Sequence, residues 1–250
     1  MSRMYVPSPT TATDGSGGLK GLASGGKIQV MADALRRNLP NALTILRLLI
    51  AAGFFATITL SVFRGEHHEH SRQLWGNIAV ALFIIAAATD FLDGHLARRW
   101  EVVSDFGRIM DPFCDKVLVL GTFAYLASPR FAEIDSLGVV SGMTTGVWAW
   151  MVVVLIAREL LVTAIRGVLE SRNIAFGADW WGKSKMILQS VAAPFCLFVA
   201  VNPAVLAMPA FTLLQSVLVW STVGVTAVSA LPYIIRARTL LATADTDGAR

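Results

Sequence analysis

Four aspartates are spaced so that they could hold a divalent cation between two helices. Asp90 and Asp93 are three residues apart at the end of one apolar run, and Asp111 and Asp115 are four apart at the start of the next. On a helix, each spacing puts the pair on one face. The polar turn at residues 99–106 can bring the two helices back antiparallel, so that the four carboxylates converge. An aspartate in the middle of a spanning helix costs about 2.5–3.5 kcal/mol. Four near the hydrocarbon edge cost less each but repel one another. Bound divalent cations offset both effects, and an all-oxygen donor set favours Mg²⁺ or Mn²⁺ over zinc. The plainer alternative has these acids capping helix ends or pairing with Arg98, Arg108 and Lys116, but intramembrane acid clusters are seldom so inert. Gly94 and Ala97 add small residues on the same face, where a flat ligand or a second backbone can approach; alone they read as tight helix packing. Ser104 and Asp105 are expected to cap the third helix, and Pro112 to bend it.

The elements that must position these residues are membrane helices. Hydrophobic residues make up 55% of the 250-residue chain and charged residues 15%, with a mean hydropathy of +0.61. A soluble domain usually carries about a quarter charged residues. Spanning helices need about 20 mostly apolar residues. Runs at 39–62, 74–98, 111–126, 137–165, 186–205 and 210–235 meet or approach that length. The expected fold is therefore all-α, a polytopic membrane bundle of about six transmembrane helices. A short turn around residues 203–209 separates the last two, and there is no internal repeat. Residues 1–30, rich in Gly, Ser and Thr, read as a disordered arm, 31–238 as the membrane domain and 239–250 as a polar tail.

Basic residues set the orientation. Arg36 and Arg37 precede the first run, Arg98, Arg99 and Arg108 follow the second, Arg166, Arg172, Lys183 and Lys185 follow the fourth, and Arg236 and Arg238 follow the last. The alternate loops hold Arg64, Arg72 and Arg130. Both termini and the loops at 98–110 and 166–185 are thus expected on the cytoplasmic side, with the acidic cluster.

Several other features carry less. Gly21 to Lys27 fits the start of a phosphate-binding loop, but Ile28 stands where a Ser or Thr should hold magnesium, and no strand precedes it. His67, His68 and His70 read as a solvated loop rather than a metal site. Trp180 and Trp181 fit interface anchors. Cys114 and Cys196 lie in apolar runs and read as buried thiols.

Read together, the cluster is Asp90-x-x-Asp93-Gly94-x-x-Ala97-Arg98, eight residues, then Gly107-x-x-x-Asp111-x-x-x-Asp115. This resembles the full signature of the CDP-alcohol phosphotransferase family: eight fixed positions over 26 residues. The resemblance implies a six-helix membrane fold, a homodimer, and displacement of CMP from a CDP-linked lipid or alcohol by a hydroxyl, with no nucleic acid involved. It implies two divalent metals held by Asp90, Asp93, Asp111 and Asp115, with Asp115 also the candidate general base. Asp90, Gly94, Ala97, Arg98 and Gly107 would contact the nucleotide.

The first-helix entry 38–47, the Arg158-Glu159-Leu160 segment with Arg166, and Gly182-Lys183-Ser184-Lys185 with Gln189 are similar to the branch of the family that makes phosphatidylglycerophosphate. Met186 departs from it, since relatives often have Thr there. That branch implies CDP-diacylglycerol and sn-glycerol 3-phosphate as substrates, and a bacterial cytoplasmic membrane as location. Arg158, Arg166, Lys183 and Lys185 would hold the acceptor phosphate, with Arg47 in reach of the same cavity. Their plainer role is to set topology and meet anionic lipid headgroups. A cardiolipin synthase or an inositol-phosphate transferase would use the same aspartates with another acceptor. An ion transporter is the alternative of a different class, although acids clustered at one membrane face do not line a path through it.

Overall fold

The computed structural model describes residues 42, 44–62, 69–100, 105–172 and 180–247; side chains at 69, 90–100, 105–109, 111, 112, 181, 236 and 241–247 lie outside that description. The expected arm at 1–30 and the Ser104 cap fall outside the described residues. The described residues are helical almost throughout: α1 (Thr44–Val62), α2 (Glu69–Trp100), α3 (Asp105–Leu126), α4 (Ala149–Ser171), α5 (Trp180–Val201), the short α6 (Pro203–Leu206), α7 (Pro209–Val228) and α8 (Ala230–Asp247). A 3-10 turn (Pro129–Phe131) and a small antiparallel hairpin, β1 (Ala132–Ile134) with β2 (Val140–Met143), join α3 to α4.

Among the described residues, four stretches are long and apolar enough to cross a bilayer: Thr44–Val62, His70–Thr89, Gly182–Val201 and Pro209–Leu240. The protein is a helical membrane protein. Helices α3 and α4, at 22 and 23 residues, are also long enough for a hydrocarbon core of about 30 Å at about 1.5 Å per residue. Their charges set them apart. Every 18-residue window of α3 contains Asp111, Asp115 and Lys116, and every such window of α4 contains Arg158, Glu159 and Arg166. Helices that carry this much charge need neighbours and ligands that compensate it.

Helix α5 is central. Half of its Gly182–Val201 stretch is buried, against 22% of His70–Thr89, and it packs on α2, α3 and α7. Ala192, Ala193, Cys196 and Leu197 face Phe83, Leu118 and Val219 in one continuous apolar core. At Gly76 a Cβ would lie 2.6 Å from Val201, so only glycine lets α2 pass this close to the end of α5. Cys114 and Cys196 are both buried and form no disulfide.

Two predicted spans are divided. The run at 137–165 is not one helix: residues 137–147 form the hairpin and its exit, and α4 begins only at Ala149. Asp135 causes this, because its Oδ1 accepts the backbone N–H groups of Leu137 and Val139, each at 2.9 Å. Gly138 then takes φ 77°, which a β-carbon disfavours. Thr145 Oγ1 donates to the Leu126 carbonyl at 2.7 Å and ties the exit of the hairpin to the end of α3. The run at 210–235 breaks at Ser229 into α7 and α8. Pro232 lacks the N–H a continuous helix would need, and its ring crowds the preceding turn. Helix α8 then continues through Asp247, so most of the polar tail expected at 239–250 is helical.

At the end of the bundle that holds the hairpin, Asn202 links α2 to α5. Its Oδ1 accepts from Gln73 Nε2 at 2.7 Å and Asn77 Nδ2 at 3.2 Å, while its Nδ2 donates to Asn77 Oδ1 at 2.8 Å and the Phe198 carbonyl at 2.7 Å. Asn202→Ala leaves these groups without their partner, at about 1–3 kcal/mol. Thermal unfolding of the purified variant should show a lowered midpoint, with both substrate KM values within a few-fold of the parent protein because the site lies at the other end.

Candidate active site

The backbone of α2 is helical through 90–98 and that of α3 through 107–115. The three- and four-residue spacings therefore do place Asp90 with Asp93, and Asp111 with Asp115, on common helix faces. The side chains of Asp90, Asp93, Gly94, Ala97, Arg98, Gly107 and Asp111 lie outside the described residues, as does that of Pro112. Asp115 is described. It is half-buried and lines a cavity of about 530 Å³ with Lys116, Glu159, Lys185 and Gln189 above an apolar floor that includes Phe83 and Leu118. Among the described residues no three His, Cys, Asp or Glu side chains stand together; Asp115 is the member of the aspartate set that falls within them. The chemistry of the set, four carboxylates on two helical faces with one at a cavity wall, fits a hard divalent cation.

A second cavity, about 550 Å³, adjoins the first. All four residues expected to grip the acceptor phosphate line it: Arg158 and Arg166 from α4, and Lys183 and Lys185 from the start of α5. Lys116, Glu159, Lys185 and Met186 border both cavities and form the wall between them. With Lys116 the second cavity has five basic side chains against Glu159 and Glu170. Its field therefore attracts anions.

The basic groups are held in a network. Glu159 accepts from Arg158 Nη1 at 2.9 Å and from Lys185 Nζ, and all three residues are buried. A buried pair left incomplete is costly, so Glu159 fixes both cations. Arg158 Nε donates to Ser229 Oγ at 3.0 Å, and Ser229 in turn donates to the Thr226 carbonyl at 2.7 Å. Lys116 Nζ donates to Thr163 Oγ1 at 2.8 Å. Two donors are left over. Arg158 Nη2 and Arg166 Nε are buried and have no hydrogen-bond partner among the described residues. Buried donors in native structures are nearly always satisfied, and guanidinium forks match phosphate oxygens.

Arg47 is buried and is not among the described residues that line either cavity. Sequence reasoning missed Tyr233, which closes one side of the second cavity. Its ring centroid lies 5.2 Å from Arg158 Cζ and 5.7 Å from Arg166 Cζ. The available signal was weak: a buried tyrosine, one of three in the chain, in an apolar stretch of α8. His70 is exposed at the start of α2, and Trp180 is exposed at the start of α5. An apolar groove between α2 and α5 adjoins the first cavity and shares Phe83, Ala87, Ser190 and Val191 with it.

The chain is similar to known proteins of one family. The chain is 34% identical over 158 residues to a Bacillus subtilis CDP-diacylglycerol–glycerol-3-phosphate 3-phosphatidyltransferase, covering 62% of this chain and 74% of the relative. It is 29% identical over 174 residues to the Mycoplasma pneumoniae protein of the same name, covering 66% and 69%. The Haemophilus influenzae protein, again of that name, is 28% identical over 163 residues, covering 63% and 74%. The sequence model of the CDP-alcohol phosphatidyltransferase family matches residues 37–228, which includes both aspartate pairs and the four basic residues Arg158, Arg166, Lys183 and Lys185, and the chain belongs to that family.

Proposed function

We propose that this protein transfers the phosphatidyl group of CDP-diacylglycerol to sn-glycerol 3-phosphate, giving phosphatidylglycerophosphate and CMP. The observation that carries the acceptor is the second cavity, with its excess of basic side chains and two buried arginine donors that lack partners among the described residues. An acceptor with its own phosphate supplies what those donors lack. Its hydroxyl, a few bonds away, then falls toward the adjoining cavity that Asp115 lines.

The acyl chains stay in the apolar groove between α2 and α5, so the lipid substrate enters sideways from the bilayer. Gly94, Ala97 and Gly107 leave room for the cytidine, while Arg98 meets the nucleotide phosphates. Asp90, Asp93, Asp111 and Asp115 would hold Mg²⁺ or Mn²⁺. A pair of such ions supplies charge neutralisation for the pyrophosphate and for the CMP that departs. Asp115 removes the proton from the acceptor hydroxyl. The new bond forms between that oxygen and the phosphorus attached to diacylglycerol, and the bond from that phosphorus to the CMP oxygen breaks. The buried Glu159 network keeps Arg158 and Lys185 in place while the anionic substrates come and go. The distribution of basic residues favours the cytoplasmic side of a bacterial cytoplasmic membrane for this end of the bundle, where glycerol 3-phosphate is supplied and CMP is released.

The test is acceptor competition on purified protein with CDP-diacylglycerol fixed. Glycerol 3-phosphate should support CMP release, while glycerol, which lacks the phosphate, should support less than about a tenth of it, the loss of one charge-assisted phosphate contact alone being worth tenfold or more; inositol phosphate and phosphatidylglycerol should each support less than glycerol 3-phosphate. Preference for phosphatidylglycerol or inositol phosphate would move the protein to a sister branch. CMP release with no acceptor preference would leave the second cavity without its assigned role.

A further inference from the structure

We infer that Tyr233, seated against Gly182, is the positioning residue that holds Arg158 and Arg166 side by side and so sets affinity for the phosphorylated acceptor; this rests on the acceptor-phosphate reading above. Two guanidinium groups that line one cavity repel each other when the cavity is empty of anion. Glu159 relieves this for Arg158 and Lys185. Tyr233 is the group that touches both arginines, with 5.2 Å and 5.7 Å from its ring centroid to their Cζ atoms. Its negative π face attracts each cation. The ring is 1% exposed, so the attraction acts where water screens little.

The orientation of the ring is fixed from two sides. Ser229, at the junction of α7 and α8, and Tyr233, four residues on in the first turn of α8, both meet Arg158. On the other side is Gly182, directly before Lys183 and three residues before Lys185 at the start of α5. A Cβ built on Gly182 would lie 2.8 Å from the Tyr233 hydroxyl oxygen but 3.9 Å from the ring carbon that bears it. The first distance is a clash and the second is ordinary contact. Gly182 is therefore the recess that accepts the hydroxyl. Any side chain there pushes the ring, and the ring carries both arginines with it.

This geometry makes a reciprocal prediction that simple loss of packing does not. Steady-state kinetics are measured with each substrate varied separately for Tyr233→Leu, Tyr233→Phe, Gly182→Ala, the double variant Gly182→Ala/Tyr233→Phe, and Arg166→Ala as reference. Relative to Tyr233→Phe, which keeps the π face, Tyr233→Leu should raise the glycerol 3-phosphate KM about 5- to 30-fold, the range expected for two lost cation–π contacts. Gly182→Ala should raise that KM several-fold in the Tyr233 protein and less than about 2-fold in the Tyr233→Phe background, where no hydroxyl remains to be displaced. The CDP-diacylglycerol KM should stay within about 3-fold in every case, since the nucleotide is held elsewhere.

If Arg166→Ala raises the acceptor KM while Tyr233→Leu matches Tyr233→Phe, the inference about Tyr233 is wrong and the phosphate site stands. If Arg166→Ala also leaves the acceptor KM unchanged, the phosphate reading itself fails. Equal damage from Gly182→Ala in both backgrounds, or equal rises in both KM values, would overturn the role assigned to the recess. The Gly182 pair decides the matter even if Tyr233→Leu does not fold.

Discussion

Asp93→Asn and Asp111→Asn should each lower metal-dependent CMP release by about 10²–10³-fold or more, the scale seen when one preorganised charge-stabilising group is lost. Asparagine keeps the size and helical compatibility of aspartate but gives up the negative charge that a divalent cation requires. The same change relieves repulsion within an acidic cluster, so the variants should insert and fold at least as well as the parent protein. Activity should stay low when Mg²⁺ is raised, because the transition state loses a ligand rather than the ground state losing affinity alone. Asp90→Asn belongs to the same class. CMP release assayed across a Mg²⁺ and Mn²⁺ series, alongside a thermal unfolding curve for each variant, checks both parts. Near-normal turnover at ordinary magnesium for any one of the three would remove that residue from the site.

The basic cavity should behave differently. Arg166→Ala and Lys183→Ala should each raise the glycerol 3-phosphate KM by roughly 10- to 150-fold, from about 1.5–3 kcal/mol per charge-assisted hydrogen bond. The CDP-diacylglycerol KM should move by a few-fold at most. Arg158→Ala and Lys185→Ala should do the same and also destabilise the protein. Each breaks a buried pair with Glu159, which typically costs about 3–5 kcal/mol. Arg166→Lys should recover only part of the loss, since an ammonium cannot offer the paired donors of a guanidinium. Kinetics with each substrate varied in turn separate these outcomes, and a uniform loss on both substrates would contradict the division of labour between the two cavities.

What could be read from the sequence followed the range of the interactions involved. The expected pairing of Asp90 with Asp93 and of Asp111 with Asp115 is local and needs only a helix, so spacing alone suggests it. That the helices α2 and α3 exist was legible from their apolar runs. The gathering of Arg158, Arg166, Lys183 and Lys185 into one cavity was reached through family resemblance, because it depends on how α4 and α5 pack. Glu159 was visible as a neighbour of Arg158, but its bond to Lys185 joins residues 26 apart. Tyr233 escaped notice for the same reason: its contact with Arg158 joins α8 to α4, residues 75 apart in the chain. The hairpin at 132–143 was misread as part of a span because hydropathy weighs Leu137, Val139 and Val140 without registering the turn that Asp135 and Gly138 impose. Those apolar residues are exposed rather than packed.

The most direct measurement traces oxygen through the reaction. Purified protein in vesicles containing CDP-diacylglycerol is supplied with Mg²⁺ and with glycerol 3-phosphate carrying ¹⁸O in its hydroxyl groups, and the products are weighed by mass spectrometry. Direct phosphatidyl transfer predicts one phosphatidylglycerophosphate for each CMP, with the hydroxyl label retained in the lipid product and none in CMP. Label in CMP, or CMP accompanied by phosphatidic acid in place of phosphatidylglycerophosphate, would contradict attack by the acceptor hydroxyl on the phosphatidyl phosphorus.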